Sequence, residues 1–185
     1  TSLMPKPFDE WAEGSKPKVL VVDIETAPTL AWMWQQWQGN IVATEQDWYI
    51  LCFAFKWLGG DDIGFVSLPD RKGWKSDSSD DRYVTKELWK LFDKADVIIA
   101  HNGDKFDIRK VQARFLFHRL GPTSTFQSID TLKVYRKHFA LMSNSLKEIA
   151  RYLGLEDGKL EHEGFSLWRS CMAGDKEAWG RMEAY

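Results

Sequence analysis

Three acidic side chains have types and spacing that could do chemistry. Asp23 and Glu25 close the apolar run at residues 18–26 (KVLVVDIET), and Asp107 closes the segment His101-Asn102-Gly103-Asp104-Lys105-Phe106-Asp107. Side chains alternate along a strand, so Asp23 and Glu25 project to one side while Leu20, Val22 and Ile24 project to the other. Clustered carboxylates are costly to bury unless something neutralises them, and a hard divalent cation such as Mg²⁺ takes oxygen ligands of this kind. The plainer reading is that D-x-E marks the place where a strand reaches solvent. A further acid delivered to the pair from another strand end separates the two readings.

The elements that must position these acids follow from pattern. Val19 and Val21 precede Asp23 on its own side, so both faces of the first strand are apolar before the acids, as in a central strand covered on both sides. Residues 1–17 carry three prolines and mixed charges and are expected to form a loosely held lead-in pinned by Phe8 and Trp11. Residues 29–48 hold Trp32, Trp34 and Trp37 among glutamines with no clean period. Residues 49–58 (YILCFAFKWL) read as a strand, Gly59-Gly60-Asp61-Asp62 as its turn and 63–68 as the returning strand, a meander with the first. Residues 69–82 read as a polar surface loop.

A helix is expected over 83–95, with Val84, Leu88, Leu91 and Phe92 on one face, then a short buried strand at 96–100. The helix containing Asp107 runs to about Leu120, with Ile108, Val111, Phe115 and Leu116 packing and Arg109, Lys110, Arg114 and Arg119 around the rest; Gly121-Pro122 stops it. Residues 124–129 read as a fifth strand, and Asp130-Thr131 opens the next helix. Ser145-Leu146-Lys147-Glu148 has the capping-box pattern of a helix ending near Gly154, and a last helix starts near Asp175. Three strands, helix, strand, helix, strand and then helices imply an α/β protein with a mixed five-stranded sheet and helices on both faces.

At 185 residues, with 44% apolar and 28% charged residues, the chain is expected to form one soluble domain, and no apolar segment is long enough to span a bilayer. A cytoplasmic location is the corresponding expectation. Cys52 and Cys171 form neither a C-x-x-C pair nor a zinc spacing. The formal charge of -2 carries no global basic signature, so a nucleic-acid partner must be held locally or through metal ions. Of the ten tryptophans, Trp57, Trp89, Trp168 and Trp179 are assigned to packing. The chain begins at Thr1 without a methionine and stops at Tyr185 within an expected helix, so both ends read as cut ends.

VVDIET followed by IIAHNGDKFD resembles the first two motifs of the DnaQ-like, or DEDD, 3′-to-5′ exonucleases, and the element order resembles the RNase H-like fold. The resemblance implies that Asp23, Glu25 and Asp107 are metal-binding carboxylates and that Asn102 and Phe106 shape the site around a 3′ end. His101 belongs to the same motif; His118, His138 and His162 show no ligand spacing. The family's third motif, Y-x-x-x-D or H-x-x-x-x-D, is not completed by Asp130, Asp157 or Asp175. Tyr185 at the end of EAWGRMEAY fits the tyrosine type if an aspartate follows four positions on; a plain C-terminal tyrosine is the alternative. The resemblance, similar to the proofreading domains of family B DNA polymerases, implies phosphodiester hydrolysis with two Mg²⁺ or Mn²⁺ ions, Asp23 bridging them and Tyr185 orienting the attacking water.

Thr26, Asn102, Phe106, Trp34 and Arg109 are the residues expected to meet nucleic acid. Exposed aromatics among Trp32, Trp34 and Trp37 could stack on unpaired bases, with packing expected for at least two of them. Arg109, Lys110, Arg114, Lys133, Arg136 and Lys137 could meet phosphates, or form solvated helix faces. Two readings follow: a metal-dependent 3′-to-5′ exonuclease acting on single-stranded DNA ends, with RNA ends as the close variant, or a catalytically incomplete module that binds nucleic acid or protein without cutting.

Overall fold

The computed structural model describes residues 16–37, 39–155 and 164–185. The readings placed on Phe8, Trp11, Asp157 and His162 lie outside the described residues. A five-stranded sheet has the order β5-β4-β1-β6-β7, formed by β1 (Val19–Thr26), β4 (Ile50–Trp57), β5 (Gly64–Ser67), β6 (Val97–Ala100) and β7 (Gln127–Asp130). β1 and β6 run parallel in the register Val19↔Val97 to Val21↔Ile99, and β6 and β7 run parallel from Val97↔Gln127 to Ala100↔Asp130. Backbone bonds from Ala27 N–H to Tyr49 and from Leu58 N–H to Val19 set β4 antiparallel to β1, so the sheet is mixed.

Six α-helices lie among the described residues: α1 (Arg82–Lys94), α2 (Asp107–Phe117), α3 (Thr131–His138), α4 (Leu146–Tyr152), α5 (Phe165–Met172) and α6 (Lys176–Ala184). This is the expected α/β architecture, with element ends shifted by a few residues. No helix among them is long and apolar enough to cross a membrane.

The described residues fall into two compact units. The first takes the chain up to Asp23, Ala54–Gly64 and Lys86–Leu141; the second takes Ile24–Phe53, Phe65–Thr85 and Met142–Tyr185. In the first, Phe92 is fully buried and makes T-shaped contacts with Phe115 and Phe126, each 5.6 Å away between ring centroids. Aromatic edges and faces carry opposite partial charge, which favours such T-shaped pairs. In the second, Trp179 is buried against Trp74 at 6.0 Å, with Leu167, Cys171, Ala178 and Met182 in the same core. Burial pushes the Cys171 thiol up to about 11, which suits packing rather than nucleophilic chemistry. Fully buried Asp81 precedes α1 and accepts the Ile50 N–H at 2.8 Å, tying the start of that helix to the start of β4.

Four expectations change. Val21 is 37% exposed, so the face of β1 that carries Asp23 opens before the acids and is not covered throughout. On α2, Leu116 is 80% exposed while Arg114 is buried, because the packing stripe runs through Asp107, Val111, Arg114 and His118 as well as Ile108 and Phe115. Residues 29–48 contain β2 (Leu30–Trp32) and β3 (Ala43–Gln46), a two-stranded antiparallel ribbon with a bulge at Leu30/Ala31. The polar loop before α1 contains two single turns of 3₁₀-helix, Leu68–Asp70 and Trp74–Ser76.

Candidate active site

Strand alternation sets Asp23 and Glu25 on the open face of β1. Asp23 is exposed, and Glu25 is half-buried. Glu25 Oε2 accepts a hydrogen bond from the indole Nε1–H of Trp168 at 3.1 Å. Trp168 stands on α5, which Leu167 and Cys171 anchor in the core of the second unit. The same indole meets the ring of Tyr185 at 6.0 Å between centroids and 73° between planes. Tyr185 follows α6, whose start is capped by Asp175 accepting the N–H groups of Glu177 and Ala178, as its sequence position suggested. Two residues singled out by motif thus converge on one tryptophan that had been assigned to packing.

The other motif residues belong to the first unit. Asp107 is the first residue of α2 and is only 1% exposed. A carboxylate in a helix's first turn is favoured by the unpaired N–H groups there. Phe106 occupies the cap position of this helix, although Asp104 two residues earlier is of a type favoured there. Asp104 instead pairs with Lys133 Nζ at 2.5 Å, and hydrogen bonds from Lys133 and then Ser128 hold its carboxyl below the usual range.

Further ties fix the segment between β6 and α2. Asn102 adopts a left-handed φ of 65° and donates its N–H to Asp130 Oδ1 at 2.9 Å. Buried Asp130 also caps α3 by accepting from Leu132 and Lys133, so one carboxylate orders both segments. His101 Nδ1 and Thr131 Oγ1 are 3.0 Å apart. At Gly103 a Cβ would lie 2.5 Å from that of Ala100, so a larger residue there would displace one of them. The motif loop is therefore held from β7 and α3, a role for Asp130 that no motif signalled.

Of the expected substrate contacts, Phe106 is exposed at the head of α2 with Lys110 Nζ 5.2 Å from its ring centroid, Arg109 is exposed, and Thr26 is half-buried at the end of β1. Arg114 is withdrawn from the list of phosphate contacts: it is buried, with its guanidinium 4.1 Å from the Phe117 ring centroid. Trp32, Trp34 and Trp37 are 62%, 83% and 90% exposed, so none has the packing role expected for at least two of them. Residues 19–55 contain no lysine or arginine, so the ribbon offers these tryptophans no neighbouring cation within its own segment.

Among the described residues no three His, Cys, Asp or Glu side chains are gathered closely enough to hold a metal ion. The donor chemistry of Asp23 and Glu25 nevertheless suits Mg²⁺ or Mn²⁺. Both are hard oxygen ligands, one is open to solvent, and the other is held by an uncharged donor that would not repel a cation.

The family model RNase_H_2, of the RNase H superfamily, matches residues 49–185. No curated protein matches the chain. Among solved structures, the family B DNA polymerase from the hyperthermophilic archaeon Pyrobaculum calidifontis is similar, with a TM-score of 0.60 and 17% identity. The match covers 90% of this chain and 22% of the polymerase chain.

Proposed function

Given that the chain belongs to the RNase H superfamily, we propose that it is a metal-dependent 3′-to-5′ exonuclease of the DnaQ-like type, acting on single-stranded DNA ends. The observation that carries the reading is the meeting of Glu25 and Tyr185 on Trp168, two motif residues from opposite ends of the chain brought to one side chain. The shape of the family B polymerase match supports the same fold.

In this reading Asp23, Glu25 and Asp107 are the residues that would hold two Mg²⁺ or Mn²⁺ ions. Bound ions of this kind activate water as a nucleophile and stabilise charge on the departing oxygen. Asp23, exposed at the strand end, would offer its carboxylate to an ion from the solvent side. Buried Asp107 supplies a carboxylate whose position is fixed by its helix. Tyr185 would orient the attacking water through its hydroxyl. Asn102 and Phe106, on the loop braced by Asp130, would receive the terminal nucleotide, with Arg109 toward its phosphates. Thr26 and Trp34 are proposed to meet the strand as well, Trp34 by base stacking.

The test is cleavage of 5′-labelled single-stranded DNA with Mg²⁺ or Mn²⁺ beside a chelator control. The expected result is a ladder shortening from the 3′ end that the chelator abolishes. Intact DNA with either ion, while the protein still binds the strand, would overturn the nuclease reading in favour of a non-cutting binding module.

A further inference from the structure

We infer that Trp168 is a positioning residue for the metal-binding carboxylate of Glu25 and, through a T-shaped ring contact, for Tyr185. The inference rests on the proposed roles of those two residues. Its geometry is a 3.1 Å hydrogen bond from Nε1 to Glu25 Oε2 and a T-shaped contact of 6.0 Å with the Tyr185 ring.

The chemistry of the donor matters. Indole nitrogen is a donor only, carries no charge and does not titrate in the working range of a protein. It can fix a carboxylate rotamer without adding a positive charge that would oppose a cation. A lysine or arginine in its place would satisfy Glu25 more strongly and would compete with the ion for it. Hydrogen bonds of this kind to metal-ligating groups typically change metal affinity by about 10 to 100-fold when removed.

The mechanical setting is suited to the role. Glu25 has three rotatable side-chain bonds, and an unrestrained glutamate would lose that freedom on binding an ion. Here part of the restriction is already in place, because Trp168 sits on α5 between the buried residues Leu167 and Cys171. Trp168 is therefore presented from a helix anchored by its neighbouring turn rather than from a loop. The ring's second contact makes Tyr185 dependent on the same anchor. Loss of the indole would then disturb two functional groups at once, while loss of only its N–H would disturb Glu25.

The experiment compares the wild-type chain with W168F, which keeps an apolar ring and removes the N–H. Mn²⁺ affinity is measured directly by the electron paramagnetic resonance signal of the free ion, with thermal unfolding as the control for folding. The expected result is a rise of about tenfold in the Mn²⁺ Kd of W168F. An unchanged Kd in a folded W168F would overturn the inference while leaving the metal site standing. A wild-type chain that binds no Mn²⁺ would instead remove the nuclease reading on which it depends.

A second measurement decides the matter if W168F does not fold. In the ¹⁵N-labelled wild-type chain, the Trp168 indole resonance is expected to shift on addition of Mg²⁺, and E25Q is expected to abolish that shift. A resonance indifferent to Mg²⁺ in a chain that binds the ion would overturn the assignment.

Discussion

Asp23 and Glu25 are two residues apart on one strand and differ in surroundings, one exposed and one half-buried under an indole donor. Their substitutions should therefore separate charge from geometry. In D23N the exposed carboxylate becomes an amide of the same shape, so the chain should stay folded while Mn²⁺ binding and cleavage are lost. In E25Q the amide oxygen can still accept the Trp168 N–H, so the side chain should stay in place while the ion loses a charged ligand. Calorimetric melting beside Mn²⁺ titration checks both; cleavage at the wild-type rate in D23N would sink the assignment. At this scale the acids of the two motifs were legible because their types and spacing are local. Trp168 was not, since its partner lies 143 positions away and nothing in the segment around it predicts the meeting.

Elements were legible wherever one face is apolar and the other is not. The α1 stripe of Val84, Leu88 and Phe92 is fully buried as its spacing required. Phe92→Ala should cost about 3 to 5 kcal/mol, because the void would remove the partner of both Phe115 and Phe126. Urea unfolding measures this, and a loss under about 1 kcal/mol would mean that the cluster collapses to fill the space. On α2 the assigned stripe was offset: at about 100° per residue Arg114 and Leu116 stand on opposite flanks of the line through Ile108, Val111 and Phe115, and the core takes the Arg114 flank. Arg114 looked like a surface cation, but it is buried with its guanidinium over the Phe117 ring. The ribbon of β2 and β3 gave no signal because most of its residues are exposed on both faces, leaving no alternation to read. The 3₁₀ turns are too short to show a period at all.

At the scale of the molecule, the order of strands and helices was sufficient to imply the RNase H-like architecture, and the family match over residues 49–185 agrees. The division into two interleaved units was not legible, because composition shows no linker between them. The chain passes from one unit to the other at Asp23/Ile24, Phe53/Ala54, Gly64/Phe65, Thr85/Lys86 and Leu141/Met142, and the first four passages fall inside β1, β4, β5 and α1. We propose that the described chain unfolds as one domain, since β1, β4, β5 and α1 each contribute residues to both units. Near- and far-ultraviolet circular dichroism should then give coincident melting curves, whereas two separated steps would refute it. The interleaving also bears on gene fission. Cutting the chain at any single place leaves at least one unit divided between the two pieces, so neither half of a split gene can supply both cores. Activity in such a pair would report fragment complementation.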